Sequence, residues 1–423
     1  MIQASIITIG DELLIGQVID TNSAWMAEEL NKAGIRVVRR VAVGDVWDEI
    51  WTALDEEQKH ADIILMTGGL GPTADDITKP LLCKYFDGKM IIHEETRQNV
   101  IDIFSKLNRP LIERNLKQAE VPDTCTAFLN KRGSAPGMLF RKPHPSSPGG
   151  EGKVFISMPG VPHEMKGFMT DDVIPLLLQE FKFPTIIHKT LLTAGLGESF
   201  LAELIKDFEE ALPAHIKLAF LPNYGMVRLR LSATGFNTAE TENDIHGLFE
   251  TLKTLVKDYL VTDTDEPMQN VVGQLLISKG KTMCTAESCT GGFISHLLTV
   301  IPGSSKFYVG TIVSYSYQAK EDLLQVDKST LETKGAVSEE VVLQMARGAL
   351  QHIKSDYVIA VSGIMGPGGG LPDKPAGTVW IAVGNKDNLQ AQKLYFRFDR
   401  MRNIQLTAVN ALNLLRKFIL AEG

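Results

Sequence analysis

The sequence predicts an α/β fold in three parts. Two observations carry this. Short β-rich apolar runs alternate with amphipathic helical stretches over the first 170 residues, and the same alternation resumes at Met268 and continues to the end. Between these blocks, over residues 171–258, the rhythm changes to that of a small α+β unit. A βαβα order places strands parallel in one sheet with helices on both faces.

The elements follow in order. Residues 4–9 form the first short strand, and Asn22 is placed to cap a helix to about Ala33, with Gly34 as its stop. Residues 35–43 read as a second strand, 47–60 as a helix and 62–67 as a third strand running into Gly68-Gly69. Two apolar stretches, 137–140 and 154–158, flank residues 142–152, whose Pro, Ser and Gly content reads as a mobile hairpin or loop excursion. In the middle part, 199–212 and 238–259 look helical and 226–233 alternates like a strand. Residues 263–267 (DTDEP) read as a linker. The expected domains are 1–170, 171–260 and 265–423.

Composition sets the class. The chain has 423 residues, 44% of them hydrophobic and 22% charged, which is ordinary for a globular protein with buried cores. The net charge of -8 disfavours a non-specific nucleic-acid binder, which is more often basic. No apolar run reaches the roughly 18 residues that span a bilayer, and the N-terminus lacks a basic, cleavable leader. Four cysteines are too few for a disulfide scaffold, and Cys284 and Cys289 lack metal-ligand spacing. They read as reduced thiols in a cytoplasmic protein.

Four clusters mark the C-terminal block. The first is Thr285-Ala286-Glu287-Ser288-Cys289-Thr290-Gly291-Gly292, a polar turn entering a helix at 293–299. Such a turn offers backbone N–H groups to a phosphate and sets a serine at the end of a sheet; a plain cap by Ser288 or Thr290 is the simpler alternative. The second is Pro302-Gly303-Ser304-Ser305. The third, Tyr315-Ser316-Tyr317-Gln318-Ala319-Lys320, supplies a lysine and a tyrosine that can gather around a serine hydroxyl. Serine at its free pKa is a poor nucleophile and needs a neighbouring base, which a buried lysine provides. The fourth is Val361 to Gly370, an apolar run ending in glycines that can bring N–H groups to an oxyanion or phosphate, followed by Gly377-Thr378-Val379.

Taken together, and with Gly335 to Glu340 (GAVSEE), these blocks over roughly 268–420 resemble the CinA C-terminal family, the nicotinamide-nucleotide amidohydrolases. The resemblance implies hydrolysis of nicotinamide mononucleotide to nicotinate mononucleotide and ammonia, without a cofactor. By motif it implies Ser288 as nucleophile, Lys320 as its base, and Tyr315 and Ser305 as assisting groups. It gives Thr290, Gly291, Gly292, Gly363, Gly366, Gly368 and Arg400 as substrate contacts, Arg400 toward phosphate or ribose. Two positions depart from the family pattern. Tyr317-Gln318 stands where Asn-Glu is usual, and Met365 stands where a small residue is usual and can narrow the pocket.

The N-terminal block carries Gly10-Asp11-Glu12, then Thr67 to Thr73 with Asp75 and Asp76, then Met158-Pro159-Gly160. Glycine loops after strands cradle phosphates, and nearby carboxylates can hold a divalent ion. Over about 1–170 these blocks resemble the molybdopterin-binding fold of the MoaB/Mog family, a three-layer α/β domain, in its CinA N-terminal variant. That implies a pocket for a pterin or nucleotide phosphate at Asp11, Asp45, Gly68, Gly69, Gly71, Thr73, Asp76, Pro159 and Gly160. It also implies metal-dependent ADP-ribose hydrolysis, with a divalent ion at Asp45 and Asp76 and potassium as a further cofactor. A helix cap is the alternative for both aspartates. Position 74, an alanine here, offers no chemistry. The middle unit has a KH-like flavour, but Gly195-Leu196-Gly197-Glu198 lacks basic flanks for a nucleic-acid backbone, and the unit reads as structural or dimer-forming. The resemblance implies small nucleotides and a second copy of the chain, as a homodimer, as partners, with no membrane and with nucleic acid disfavoured. The rival readings are a molybdopterin-pathway binding protein and a non-enzymatic protein linked to competence.

Overall fold

Residues 2–73, 75–142 and 152–422 are described by the computed structural model. The chain divides into two compact units, Met1–Ile187 with Thr234–Glu242, and His188–Ala233 with Asn243–Gly423. Among the described residues, no helix is long and apolar enough to cross a membrane.

The first unit is built on a six-stranded sheet in the order Arg36–Val43, Gln3–Ile9, Ile63–Thr67, Lys153–Met158, Gly137–Lys142, Thr126–Phe128. The first four strands are parallel and the last two antiparallel. Strict alternation buries both faces. Ala4, Ile6, Ile63 and Leu65 meet Met26 and Leu30 of helix Thr21–Lys32, with Met165 and Phe168 of Pro162–Phe168. Ile7, Ile9, Ile64 and Met66 meet Ile50 and Leu54 of Trp47–His60, with Leu81 and Leu82 of Thr78–Tyr85. Each such fully buried aliphatic side chain contributes roughly 1.5–3 kcal/mol, so the three-layer arrangement follows from the sequence periodicity.

Three local expectations are corrected. The cap of the first long helix is Asp20, whose carboxylate accepts from Ser23 N at 2.9 Å, and not Asn22. An ionised acceptor two residues earlier is the better cap for the first turn. Asn22 instead donates to Gly160 O. The single helix expected over 199–212 is two short ones, Glu198–Leu204 and Lys206–Glu210, ahead of Pro213. The loop expected within 142–152 falls almost entirely on residues outside the described ones.

In the second unit, a four-stranded sheet holds the middle part, in the order Ile216–Asn223, Met226–Gly235, Thr185–Ala194, Leu260–Thr262. The C-terminal part has a five-stranded sheet in the order Tyr308–Val313, Met283–Glu287, Tyr357–Gly363, Thr378–Gly384, Leu389–Tyr395. The first three strands are parallel and the last two antiparallel. Val272 and Leu276 of Met268–Lys279, with Ala408, Leu412 and Leu415 of Arg400–Ala421, cover the face of Met283, Ile359 and Val361. Leu324 of Tyr317–Leu324, with Val342, Met345 and Ala346 of Glu339–Ile353, covers Cys284, Ala286, Val358 and Ala360.

The six-stranded and five-stranded sheets share one feature that places a site. The first strand in sequence lies between the second and third, so successive connections leave its two sides in opposite directions. Ligands bind at the carboxyl ends of strands beside such a reversal.

Candidate active site

The three parallel strands of the C-terminal sheet end together, with Glu287 opposite both Val313 and Val361. The backbone ladder continues one step further, through Ser314 N to Glu287 O and Ser288 N to Val361 O. Alternation turns Cys284 and Ala286 toward the helices Tyr317–Leu324 and Glu339–Ile353, and Ser288 follows onto that face. There it meets Lys320, in the first turn of Tyr317–Leu324, a helix capped by Ser316 Oγ.

Lys320 Nζ lies 2.9 Å from Ser288 Oγ, 2.7 Å from Ser314 O and 3.3 Å from Tyr315 O. Ser288 is 7% exposed and Lys320 1%. Burial brings the Lys320 amine down from 10.5 to about 8, against a small upward pull from Cys289. The contact set suits both protonation states. As ammonium, Lys320 donates to all three oxygens. As neutral amine it has two N–H donors for the carbonyls and one lone pair for the Ser288 hydroxyl. A serine with its base in hydrogen-bond reach is the arrangement nucleophilic catalysis requires.

A cavity of about 270 Å³ opens over this couple, with Ser288, Lys320, Tyr315, Gly363, Gly366, Gly368 and Arg400 in its lining. Met365 also lines it and is buried. The Arg400 guanidinium donates to Gly366 O at 3.0 Å and to the Tyr315 hydroxyl at 3.1 Å. It therefore ties the glycine loop to the exposed tyrosine across the mouth.

Two groups of sequence-predicted residues lie elsewhere. Thr290, Gly291 and Gly292 do not line the cavity. Glu287, fully buried beside Ser288, takes up the donors that were expected to face a phosphate. Its carboxylate accepts from Thr290 Oγ1 (2.7 Å), Gly292 N (3.0 Å), Ile294 N (3.1 Å) and Ser295 N (2.8 Å), with a longer contact from Thr285. The start of helix Phe293–Thr299 is thus neutralised from inside, which fits the preference of helix N-termini for anions. Ser305 sits exposed on the short turn Ser304–Lys306, away from the cavity lining.

Three further residues hold the site's walls, in roles that the sequence did not assign them. Buried Asn403 donates to Met365 O and Phe398 O, both at 3.0 Å, anchoring the glycine loop to the C-terminal helix. Ser362 Oγ donates to Ala336 O at 2.7 Å, and Ala336 N donates to the Tyr317 hydroxyl at 3.2 Å. Tyr317, at a position that departs from the family pattern, therefore helps fix the loop that roofs the cavity. Cys289 is buried, and its thiol is pushed up to about 12, chiefly by burial; it is not poised as a nucleophile.

The N-terminal sheet forms a second cavity, of about 450 Å³, at its own strand ends. Gly68, Gly69, Gly71, Asp45, Asp76, Pro159 and Gly160 line it, as do Glu12, Gln118, Ser134 and Glu164, to which the sequence assigned no role. Gly68 has φ +118, and a Cβ there would stand 2.2 Å from Ile9 O, so only glycine fits. Asp11 and Thr73 do not line the cavity; each holds an aspartate that does. Asp11 N donates to Asp45 and Asp45 N to Asp11. The Asp76 carboxylate accepts from Gly71 N, Thr73 N and the Thr73 hydroxyl. Neither aspartate caps a helix; the capping positions are Val46 and Ile77. Burial raises the Asp45 carboxyl, and acidic neighbours push the same way.

The donor chemistry would suit a hard divalent ion, but the placement does not. Among the described residues, no group of three or more His, Cys, Asp or Glu is placed to hold a metal, and Asp76 spends its oxygens on its own loop. Lys79, buried behind the loop, donates to Gln118 O at 3.0 Å and Glu120 O at 3.3 Å, and so sets the wall that carries Gln118.

Fold and site thus define an α/β protein with a buried serine–lysine couple at the carboxyl edge of its C-terminal sheet and a glycine-loop cavity at that of its N-terminal sheet. Family comparisons agree along the chain. The model described as CinA C-terminal domain matches residues 265–419, Probable molybdopterin binding domain matches 5–179, and Damage-inducible protein CinA KH domain matches 188–262. A CinA-like protein of Cytophaga hutchinsonii is 41% identical over 416 residues, covering 98% of each chain. One of Flavobacterium psychrophilum is 41% identical over 420 residues, covering 99% of each. The crystal structure of competence damage-inducible protein A (ComA) from Klebsiella pneumoniae is 36% identical, covering 36% of this chain and 93% of that one, with a TM-score of 0.35. The chain belongs to the CinA family.

Proposed function

We propose that the C-terminal site hydrolyses the amide of nicotinamide mononucleotide, giving nicotinate mononucleotide and ammonia. The observation that carries this is the 2.9 Å contact between Ser288 Oγ and a buried lysine amine, under a cavity sized for a small ligand. Neutral Lys320 takes the Ser288 proton as Oγ attacks the amide carbon. The resulting oxyanion faces backbone of the Gly363 to Gly370 loop, where N–H groups stabilise it. The C–N bond then breaks, and the Lys320 ammonium gives its proton to the departing nitrogen, which leaves as ammonia. Water attacks the Ser288 ester with Lys320 again as base, the acid product departs, and Ser288 recovers its proton. Tyr315, whose oxygen accepts from Arg400, keeps its own O–H for the substrate. Arg400 adds the positive charge that suits a nucleotide phosphate at the mouth.

The test is ammonia release from nicotinamide mononucleotide by the purified chain with EDTA present. Sustained, enzyme-dependent release supports the reading; none under any pH between 6 and 9 overturns it.

For the N-terminal cavity we propose a phosphorylated nucleotide or pterin as ligand, on the strength of three strand ends and the glycine loop. ADP-ribose hydrolysis there is the bolder form of that proposal, with the divalent ion carried in by the nucleotide's own phosphates, since among the described residues no cluster of protein ligands is placed to hold one. AMP release from ADP-ribose with a divalent cation and potassium supports it, and no release reduces the domain to a binding module.

A further inference from the structure

Ser314 stands out once the site's hydrogen bonds are counted. It is fully buried, and among the described residues its hydroxyl has no hydrogen-bond partner. A buried polar group left unpaired is costly and calls for a physical reason. Its main chain is fully engaged in the site, with N donating to Glu287 O and O accepting from Lys320 at 2.7 Å. The strand register places Ser314 beside Ser288, and Ile312, two residues earlier, packs on the helix-covered face that Lys320 occupies. Alternation puts the Ser314 side chain on that same face.

The reaction changes what Lys320 can bond to. In the resting site its three partners are Ser288 Oγ, Ser314 O and Tyr315 O. When Ser288 becomes an ester, its oxygen loses its proton and becomes a weak acceptor, so the lysine loses one of three tethers. The second half of the reaction still needs that amine in place, to take a proton from water and return it to Ser288.

We infer that Ser314 is a positioning residue for deacylation: its spare hydroxyl donates to the lone pair of neutral Lys320 while Ser288 carries the acyl group, and holds the amine in place until the attacking water takes that position. This rests on the amidohydrolase reading. No bond to Ser314 is made or broken. The water O–H proton goes to Lys320, the hydroxide oxygen bonds the acyl carbon, and the carbon–Ser288 bond breaks as Oγ receives the Lys320 proton.

The experiment is rapid-quench ammonia release from nicotinamide mononucleotide by wild type, Ser314→Ala and Ser314→Thr, with intact-mass spectrometry on the same samples. In Ser314→Ala, a burst of about one ammonia per site should be followed by turnover slowed about tenfold, the worth of one hydrogen bond. The acyl adduct should accumulate in that variant only, and Ser314→Thr, which restores a hydroxyl, should recover turnover. A general loosening of the site would slow the burst as well and leave no adduct. Ser314→Ala with wild-type turnover, or with slow turnover and no adduct, overturns the inference. If the wild type releases ammonia and Ser288→Ala does not, the underlying reading stands even then; if the wild type releases none, both fall.

Discussion

Titrating Lys320 is the most informative perturbation of the proposed chemistry. Burial brings its amine to about 8, and only the neutral form has the lone pair that accepts the Ser288 proton. The neutral fraction is then roughly 1% at pH 6, a tenth at pH 7, a half at pH 8 and nine-tenths at pH 9. The rate of acylation should therefore rise with pH, by about two orders of magnitude between pH 6 and 9, and then level off. The assay is ammonia release at nicotinamide mononucleotide far below saturation, where kcat/KM reports the free enzyme. A phosphate's second ionisation, near pH 6, lies at the lower edge of the window. Lys320→Arg should abolish the ascending limb together with the activity, because a guanidinium stays protonated throughout. A flat profile or a falling one would refute the assignment of Lys320 as base, and a midpoint at the ordinary lysine value of 10.5 would show that burial does not lower its amine.

The other expectations concern the groups around the couple. Glu287→Ala strips the acceptor from three backbone N–H groups and Thr290, and should lower unfolding stability by roughly 3 kcal/mol or more in urea melts, with activity lost. Asn403→Ala removes two hydrogen bonds that hold the glycine loop; a loss of about 2 kcal/mol should be accompanied by a rise in KM larger than the fall in kcat. Cys289→Ala should leave ammonia release within about twofold of wild type, and iodoacetamide at pH 8 should not inactivate the enzyme, since a thiol this far above the assay pH holds almost no thiolate.

The residues that meet at the C-terminal cavity were mostly legible because each ends a strand or opens a helix, and such positions carry local signals. Ser288 follows a buried run, Lys320 follows a serine cap, and Gly363 to Gly368 follow an apolar strand; the topology then does the gathering. Glu287 escaped for the converse reason. Its partners are donors five, seven and eight residues on, and from sequence alone those donors look free for a phosphate. The signal was a carboxylate closing a short, mostly apolar strand, Met283–Glu287, which must be satisfied by something buried. Asn403 and Ser362 act across 38 and 26 residues, a range over which no local pattern speaks. Ser305 was carried by its motif alone, and the fold leaves it on an exposed turn. In the N-terminal unit, the glycine loop announced the cavity. Asp76 turned out to brace that loop and Asp45 to pair with Asp11, because short carboxylates near a tight turn find backbone N–H groups first.

The account's central claim is that Ser288 and Lys320 act as one chemical unit, and a double-mutant cycle tests it most directly. Ammonia release from nicotinamide mononucleotide would be measured for wild type, Ser288→Ala, Lys320→Ala and the double variant, each checked for native folding by circular dichroism. If the two side chains share one step, either single replacement should abolish nearly all the activity and the double should cost no more than one alone. Independent, additive losses, or substantial release by either single variant, would contradict the claim.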